Sequence, residues 1–463
     1  MANLPVGRIK HEMSQQSFLA GVVEGFYGQS WTHGERLRLF EQMSALGLNT
    51  YFYAPKNDLK HRAIWRQEYS AAELAPLAEL VTACNERGLN FIYGLSPGLD
   101  IHFSESAERE RIKSRLAQMQ SVGVQHFALL FDDLPGKMSD EDRARYRSVA
   151  AAQCDVTNEI YEWARRNSNG GGRFLFCPTP YCDRMDAAQL GGAGYLDEVG
   201  ELLAPGIDVL WTGPEIVSLE ISVDSIERLS RRLRRRPVIW DNLFANDYDF
   251  SRAYCGPYAG RSRELRPAVG GILLNPNNEF PLNFVPLRTF AEYLSGEGAW
   301  EPGEAYVNGL REWLPAYATA NQPIAIDDLT LLADCFYLPD REGAEGERIV
   351  RLAEHLFMTP AADWGNAFAE FEAINARVQS MFDRLTELVD RELFNAWSRR
   401  AWEFKEEMQV LAMVFASKKA GYDMEQSGAL DRHLPGVFRR GFLTRLKRYV
   451  SIDATGTLRF PVK

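Results

Sequence analysis

The sequence predicts an α/β protein: a (β/α)8 TIM barrel followed by a C-terminal all-helical domain. Eight short, nearly continuously apolar runs recur through the first two-thirds of the chain, a pattern typical of parallel strands buried on both faces. Segments with helical spacing lie between most of these runs, and helical signals dominate the last third. A doubly wound sheet is the alternative fold, because a strand count alone does not prove that the sheet closes.

The strands are predicted from apolar runs that end in polar or glycine-rich residues. They cover residues 19–23, 49–53, 90–95, 126–131, 173–177, 208–212, 237–241 and 271–275. Helix-period segments lie at residues 35–46 and 71–87, and residues 139–166 form a longer helical segment with a predicted break. Gly47, Gly88 and Gly123 follow helix ends, where a left-handed cap is expected.

A Gly- and Pro-rich stretch at residues 295–303 predicts a domain boundary. We therefore expect a catalytic barrel at residues 1–297 and a helical bundle domain at 298–463. Apolar residues recur at steps of three and four from Trp364 to Leu388, and a second helix is expected at about residues 399–420. Both stripes are interpreted as core packing.

Composition excludes some classes of partner. The 463 residues carry a formal net charge of −11, so the chain is a poor binder of nucleic acid or anionic membrane. The basic run at residues 231–236 is interpreted as the solvated end of a helix.

Targeting and cysteine signals favour a cytoplasmic protein. Residues 1–17 lack the apolar core of a secretory signal, and no later run approaches a membrane-spanning length. The six cysteines are dispersed, and no second Cys/His pair joins Cys177 and Cys182 in a zinc site. We expect reduced thiols and no metal.

Polar and aromatic residues collect where the predicted strands end. In either fold the carboxyl ends of the strands form the working face. Neutral hydrogen-bonding groups beside aromatic rings are typical of a sugar pocket, because hydroxyls need polar partners and a pyranose face needs a ring to rest on. The strand ends supply Glu24–Gly28, Tyr53–Asp58, Ser96–Asp100, Asp132-Asp133, Pro178–Tyr181, Trp211–Pro214, Trp240–Asn242 with Asn246–Tyr248, and Asn275–Glu279.

Asp132 and Asp133 are the candidate catalytic residues. Two like charges at one strand end cannot both ionise freely, so one apparent pKa should rise and the other fall. Consecutive strand residues point to opposite faces, so both reach a pocket only if the chain turns, for which Leu134-Pro135-Gly136 offers a turn. Adjacent carboxylates cannot easily flank one bond, which suggests that the nucleophile comes from the substrate.

Other residues at these ends have structural interpretations. Lys56 by itself would be a surface lysine, and Asp100 and Asp241 are expected to hold loops through local hydrogen bonds. Glu24 lies within an apolar strand, where a carboxylate is costly unless it is paired. We expect it to form a structural salt bridge inside the barrel.

The strand-end motifs resemble those of the family 84 glycoside hydrolases, the O-GlcNAcases and related β-N-acetylglucosaminidases. The resemblance covers roughly residues 19–297 in unbroken motif order and is closest to the O-GlcNAcase branch. The matching motifs are VEGFYG at 23–28, YAPKND at 53–58, SPGLD at 96–100, LFDD at 130–133, WTGP at 211–214, WDN at 240–242 with NDY at 246–248, and NPN at 275–277.

The resemblance implies removal of terminal β-linked N-acetylglucosamine by a retaining, substrate-assisted mechanism through an oxazoline, without a cofactor. Asp132 would orient the acetamido N–H of the substrate, and Asp133 would be the general acid and then the general base. Tyr181 would steady the acetamido group. Gly25, Lys56, Asn242, Asp247 and Asn275 would hold sugar hydroxyls and the acetamido group, with Tyr27 and Trp240 as pocket aromatics.

The expected substrate is a sugar on Ser or Thr of proteins, and a homodimer through the helical domain is a further expectation. An endo-acting hexosaminidase on polymers such as hyaluronan is the enzymatic alternative, and it would need an open cleft. A non-catalytic N-acetylglucosamine-binding protein is the alternative from another class. The intact Asp132 and Asp133 argue against it, because a lectin has no use for paired acids.

Overall fold

The computed structural model describes residues 17–168 and 171–421, together with 446, 449, 451–452 and 458–459. Residues 1–16, on which the prediction about a secretory signal rests, lie outside the described part. Eight parallel strands pair in chain order, and the last pairs with the first, so the predicted TIM barrel is confirmed. They are β1 Leu19–Glu24, β2 Thr50–Tyr53, β3 Asn90–Leu95, β4 His126–Leu130, β5 Phe174–Cys177, β6 Ile207–Trp211, β7 Val238–Asp241 and β8 Gly271–Leu274.

Each predicted strand is present, with ends that differ by no more than one residue from the prediction. Continuous apolar runs mark these strands because both faces are buried: one lines the barrel interior, and the other packs against the helices. Val23, Phe52 and Leu130 belong to the interior layer, whereas Val22, Tyr51 and Leu129 belong to the layer under the helices. This alternation decides which strand residues can reach the barrel mouth.

Helices surround the barrel. They are α1 His33–Ala45, α2 Ala71–Glu86, α3 Ser106–Ser121, α4 Asp140–Arg145, α5 Val149–Arg166, α6 Asp183–Ala187, α7 Tyr195–Leu202, α8 Val223–Leu233, α9 Leu265–Ala268 and α10 Phe284–Ser295. The break predicted within residues 139–166 is confirmed by the gap between α4 and α5. Gly47, Gly88 and Gly123 have positive φ after α1, α2 and α3, as predicted, because a Cβ would be strained there.

The C-terminal region is helical. Its helices are α11 Pro302–Trp313, α12 Ile326–Asp334, α13 Ala344–Met358, α14 Ala367–Thr386 and α15 Arg391–Lys419, and a short antiparallel pair, β9 Ser451–Ile452 and β10 Leu458–Arg459, follows. The apolar stripe packs as core, but Trp364 and Leu388 lie outside α14. The helix expected at residue 399 begins at Arg391, because Asp390 caps it by accepting hydrogen bonds from the backbone N–H groups of Glu392 and Leu393.

The division of the chain at residues 297 and 298 stays a prediction. Residues 296–301 do separate α10 from α11. However, the core of the C-terminal helices also takes in Ala253 and Cys255 from the loop after β7, and Leu282 and Val285 after β8. The two parts therefore share apolar packing on the side of the barrel that carries β7 and β8.

Two structural predictions need correction. Glu24 does form a buried salt bridge, with Arg36 at 2.8 Å, but it alternates with Val23 and so lies in the layer under the helices rather than inside the barrel. It also accepts a hydrogen bond from the hydroxyl of Tyr51. The basic run at the end of α8 is not solvated throughout, because Arg235 donates to the carbonyl oxygens of three residues, Leu203, Ala204 and Ile207.

Candidate active site

A cavity of about 310 Å³ opens at the carboxyl ends of the strands. The structure brings every predicted catalytic and substrate-binding residue to this one cavity, although their positions in the sequence run from residue 25 to residue 275. The lining comprises Gly25, Tyr27, Lys56, Asp132, Asp133, Cys177, Tyr181, Leu210, Trp211, Thr212, Ile216, Val217, Trp240, Asn242, Ala245, Asp247, Tyr248 and Asn275.

The two aspartates reach the same cavity because the chain turns at Asp133. Leu130 faces the barrel interior, so Asp132, two residues later, points the same way. Simple alternation would direct Asp133 outward, but its φ of 54° places it in the left-handed region. Asp tolerates that region better than most residues. The turn predicted at Leu134-Pro135-Gly136 therefore begins one residue earlier.

Asp132 lies against two cations. The Nζ atom of Lys56 is 2.7 Å from Oδ2 of Asp132, and Nη1 of Arg62 is 3.5 Å from the same oxygen. Burial alone would raise the pKa of Asp132, but Lys56 and Arg62 outweigh burial and hold that pKa below its ordinary value. Lys56 is not a surface residue, since only 3% of its side chain is exposed.

The second carboxylate oxygen of Asp132, Oδ1, is available to a ligand. Oδ1 is buried and accepts no hydrogen bond from any of the residues that the structure describes. A buried carboxylate oxygen is costly to leave without a donor. An N–H group brought by a bound molecule would satisfy it.

Asp133 has different partners. The hydroxyl of Tyr27 donates to Oδ2 at 2.7 Å, and the hydroxyl of Tyr181 donates to Oδ1 at 2.6 Å. Burial, followed by the neighbouring Asp133 carboxylate, raises the pKa of both tyrosines, which keeps their hydroxyls protonated as donors. The neighbouring acids are thus placed in different surroundings, one beside cations and the other between hydroxyls.

Carboxamides and a tryptophan form another wall. The indole Nε1 of Trp240 and the Nδ2 of Asn275 both donate to Oδ1 of Asn242, at 3.0 and 2.9 Å. The Nδ2 of Asn242 in turn donates to the carbonyl oxygen of Ile216 at 2.7 Å. These bonds fix both amides, and Oδ1 of Asn275 is buried without a donor among the described residues. The wall therefore offers a further acceptor beside an aromatic face.

Gly25 and Asp247 complete the predicted set. A Cβ added to Gly25 would lie 2.0 Å from Cζ2 of Trp240, so only glycine lets the indole lie against this backbone. Oδ2 of Asp247 accepts a hydrogen bond from the backbone N–H of Tyr27 at 2.8 Å. Burial raises the pKa of Asp247.

The site residues selected from the sequence leave out several residues of the site, among them Arg62, Cys177 and Tyr248. Arg62 was not selected, although it lies in the same loop as Lys56, and Cys177 ends β5 with its side chain toward the cavity. Tyr248 follows Asp247 and stays 53% exposed at the cavity. By contrast, Asp241 accepts a local hydrogen bond from the backbone N–H of Leu243 at 3.1 Å, as predicted, and also pairs with the fully buried Arg261.

The cavity offers no evident metal site. Within the described ranges, no group of three or more His, Cys, Asp or Glu side chains is arranged to hold a metal ion. None of the helices in the described ranges combines the length and the apolar character that a membrane-spanning segment needs.

A family model described as beta-N-acetylglucosaminidase matches residues 20–325. Protein O-GlcNAcase from Rattus norvegicus and from Mus musculus are each 49% identical over 276 residues. These alignments cover 60% of this chain but 30% of each relative, so the chain spans about a third of their length.

Solved structures show the same fold. A mutant of an O-GlcNAc hydrolase from Thermobaculum terrenum has a TM-score of 0.76 and 27% identity, with 88% of both chains covered. A structure titled CpGH84B has a TM-score of 0.74 and 23% identity, with 88% of this chain and 72% of that chain covered. The second similarity supports the fold alone.

Proposed function

This chain belongs to the beta-N-acetylglucosaminidase family, and we propose that it is a retaining glycoside hydrolase that removes terminal β-linked N-acetylglucosamine from serine or threonine of proteins. The observation that supports this most is the pair Asp132 and Asp133, which face one cavity with different partners. The likeness to protein O-GlcNAcases favours the protein-linked sugar as substrate.

The substrate supplies the nucleophile in this proposal. Neighbouring residues in one loop cannot stand on opposite sides of a sugar ring, as two catalytic carboxylates must in the ordinary mechanisms. The acetamido oxygen of the sugar can instead attack its own anomeric carbon. Oδ1 of Asp132, which lacks a donor among the described residues, suits the acetamido N–H. An ionised Asp132 beside Lys56 would stabilise the positive charge that develops on that nitrogen.

Asp133 moves the proton in both steps. As general acid it protonates the glycosidic oxygen while the bond from that oxygen to the anomeric carbon breaks and the oxazoline closes. Asp133 then accepts a proton from water as that water attacks the anomeric carbon. The attack opens the oxazoline ring and leaves the anomeric configuration retained. Tyr27 and Tyr181 hold the carboxyl group from two sides. When substrate binds, the single O–H of Tyr181 would turn from Asp133 to donate to the acetamido oxygen or the oxazoline.

The remaining residues bind the sugar. The Gly25 backbone, Lys56, Asn242, Asp247 and Asn275 provide donors and acceptors for hydroxyls and the acetamido group. Tyr27 and Trp240 provide aromatic surfaces for the ring. The cavity volume of about 310 Å³ lies at the small end of ligand sites, which favours one terminal sugar over the polymer that an endo-acting enzyme would hold.

Location and assembly belong to the same proposal. All six cysteines are free and buried, as suits a reducing cytoplasm.

A homodimer through the C-terminal helices would place the exposed Trp402 of α15 at an interface. If so, Trp402→Glu in the full chain should convert dimer to monomer in sedimentation equilibrium. A wild-type monomer at micromolar concentration would contradict the dimer.

The acetyl group of the substrate provides the test of the mechanism. The wild type is assayed on a 4-nitrophenyl β-N-acetylglucosaminide and on its mono-, di- and trifluoroacetyl analogues. Fluorine withdraws electrons from the acetamido oxygen, so kcat/KM should fall steeply along the series if that oxygen attacks. An indifferent rate would contradict substrate assistance, and no hydrolysis of the parent compound would contradict the enzymatic function.

A further inference from the structure

Arg400, in the middle of α15, reaches from the C-terminal helices to a loop of the barrel. It is 6% exposed, and its three hydrogen-bonding nitrogens all have partners. Nη1 donates to the carbonyl oxygen of Ala396 within the helix, whereas Nε donates to the carbonyl oxygen of Arg252 at 3.0 Å. Nη2 forms a 2.8 Å ion pair with Oε1 of Glu279. Two of these contacts therefore leave the helix for the loops after β7 and β8.

Asn246 shares both of those partners. Its Nδ2 donates to Oε2 of Glu279 at 2.8 Å and to the carbonyl oxygen of Arg252 at 2.9 Å. Arg400 and Asn246 thus bridge the same carboxylate and the same carbonyl from two sides. Asn246 is fully buried, and it immediately precedes Asp247, which lines the cavity. The position of Asp247 is consequently tied to the α15 guanidinium.

The hydrogen bonds around Asn246 continue to Tyr27, the aromatic residue beside the proposed general acid Asp133. Oδ1 of Asn246 accepts the backbone N–H of Asn278 at 2.9 Å, and Nδ2 of Asn278 donates to the carbonyl oxygen of Tyr27 at 2.6 Å. The backbone N–H of Tyr27 donates to Asp247. The backbone N–H of Tyr27 is therefore held by Asp247, which follows Asn246 in the sequence. Its carbonyl oxygen is held by Asn278, which is hydrogen-bonded to Asn246. The hydroxyl of Tyr27 contacts Asp133.

We propose that Arg400 is a positioning residue for the active site, acting through Glu279 and Asn246 on Asp247 and Tyr27. The C-terminal helices then contribute to sugar binding without lining the cavity. This inference rests on the proposed roles of Asp133 and Asp247. Its physical basis is that a buried, desolvated guanidinium has few alternative arrangements, so its partners are held in one geometry.

Double-mutant cycles separate positioning from general stability. Kinetics on the 4-nitrophenyl β-N-acetylglucosaminide are measured for Arg400→Met, Glu279→Gln and Asp247→Asn, and for Arg400→Met and Glu279→Gln each combined with Asp247→Asn. Arg400→Met should lower kcat/KM about tenfold or more, mainly through KM, because a displaced Asp247 binds the sugar poorly. In the Asp247→Asn background the same substitution should cost about threefold or less, since one of the two residues through which it acts is already altered and only the effect on Tyr27 remains.

Arg399, the residue before Arg400, provides a matched control for the loss of an arginine. Arg399 pairs with Glu403 on the exposed face of α15, so Arg399→Met removes an arginine without touching the barrel. Its kcat/KM should stay within about twofold of wild type. Equal losses from Arg400→Met in the wild-type and Asp247→Asn backgrounds would overturn the proposal, because an effect on folding alone multiplies with any second change. If Arg400→Met does not fold, Glu279→Gln in the two backgrounds decides in the same way.

Hydrogen exchange of the backbone amides tests the inference without relying on enzymatic activity. Amides of residues 242–254 and 275–279 should exchange faster in Arg400→Met than in Arg399→Met if Arg400 fixes these loops. Unchanged exchange there would overturn the inference even if wild type hydrolyses the substrate. If wild type shows no hydrolysis, the proposed function fails, and the exchange comparison alone decides whether Arg400 positions the loops.

Discussion

Lys56 and Asp132 lie 76 positions apart in the sequence and meet as a 2.7 Å ion pair at the cavity. The pair fixes one oxygen of Asp132 and leaves Oδ1 without a donor among the described residues. The same contact keeps the pKa of Asp132 low against the opposing effect of burial. The charge state and the orientation of Asp132 therefore depend on a residue of another strand end.

Removing Lys56 should change the pH dependence of catalysis. The Lys56→Met substitution takes away a cation that lowers the pKa of Asp132, so that pKa should rise. Because the proposal needs Asp132 ionised, the acidic limb of kcat/KM should move to higher pH, by about one unit or more. Lys60→Met is the control, since Lys60 pairs with Glu73. An unshifted limb would show that Lys56 does not set the ionisation of Asp132.

Asparagine substitutions should separate the two aspartates by leaving group. Asp133→Asn removes the proton donor, so the loss should be about 10²–10⁴-fold on a poor leaving group such as methanol and much smaller on an acidic phenol. Asp132→Asn should be equally impaired on both, because it acts on the acetamido group. The measurement is kcat/KM against the pKa of the leaving group. Parallel slopes for the two variants would contradict the assignment.

Gly25→Ala should disable the site through Trp240. The added Cβ would meet the indole at 2.0 Å, so the ring must shift within the cavity that it lines. We expect KM to rise about tenfold or more, since a displacement of about 1 Å at a binding site is enough for such a loss. Gly34→Ala, where a Cβ meets nothing within 4 Å, is the control. Similar kinetics for both variants would contradict the close approach.

His126 should make folding stability depend on pH. Burial, and then the charge of Arg173, lower its pKa from 6.5 to about 4 in the folded chain. The unfolded chain therefore binds the proton first, so stability is full above about pH 6.5 and falls as the pH drops toward 4.

The variant His126→Asn tests this. It keeps an acceptor for the backbone N–H of Arg173 but does not titrate. The melting temperature of wild type minus that of His126→Asn should be constant above pH 7 and should decrease toward pH 4. His102→Asn, at an exposed position, is the control for the substitution itself. A difference that stays constant with pH would contradict a neutral, half-buried His126.

Much of the barrel could be predicted because its signals are local. Apolar runs mark strands buried on both faces, and glycines mark the helix ends, so the strand ends fell within one residue of the structure. The Asp132-Asp133 pair could be selected because a barrel gathers its strand ends at one face, whereas the substrate-binding residues came from the motifs that resemble family 84 glycoside hydrolases. Glu24 and Arg62 show what local signals leave open, since the face of a strand and the partner of an arginine depend on distant residues.

The sequence by itself determined the element order, the barrel and the set of strand-end residues, because periodicity and turn residues act over a few positions. Only the tertiary structure decided that Asp133 turns through a positive φ to join Asp132, and that Lys56 lies buried against that aspartate. It also decided that Arg400, far beyond the barrel in sequence, bonds to Glu279. Such contacts depend on how separate elements pack, and packing brings together groups that no local pattern links.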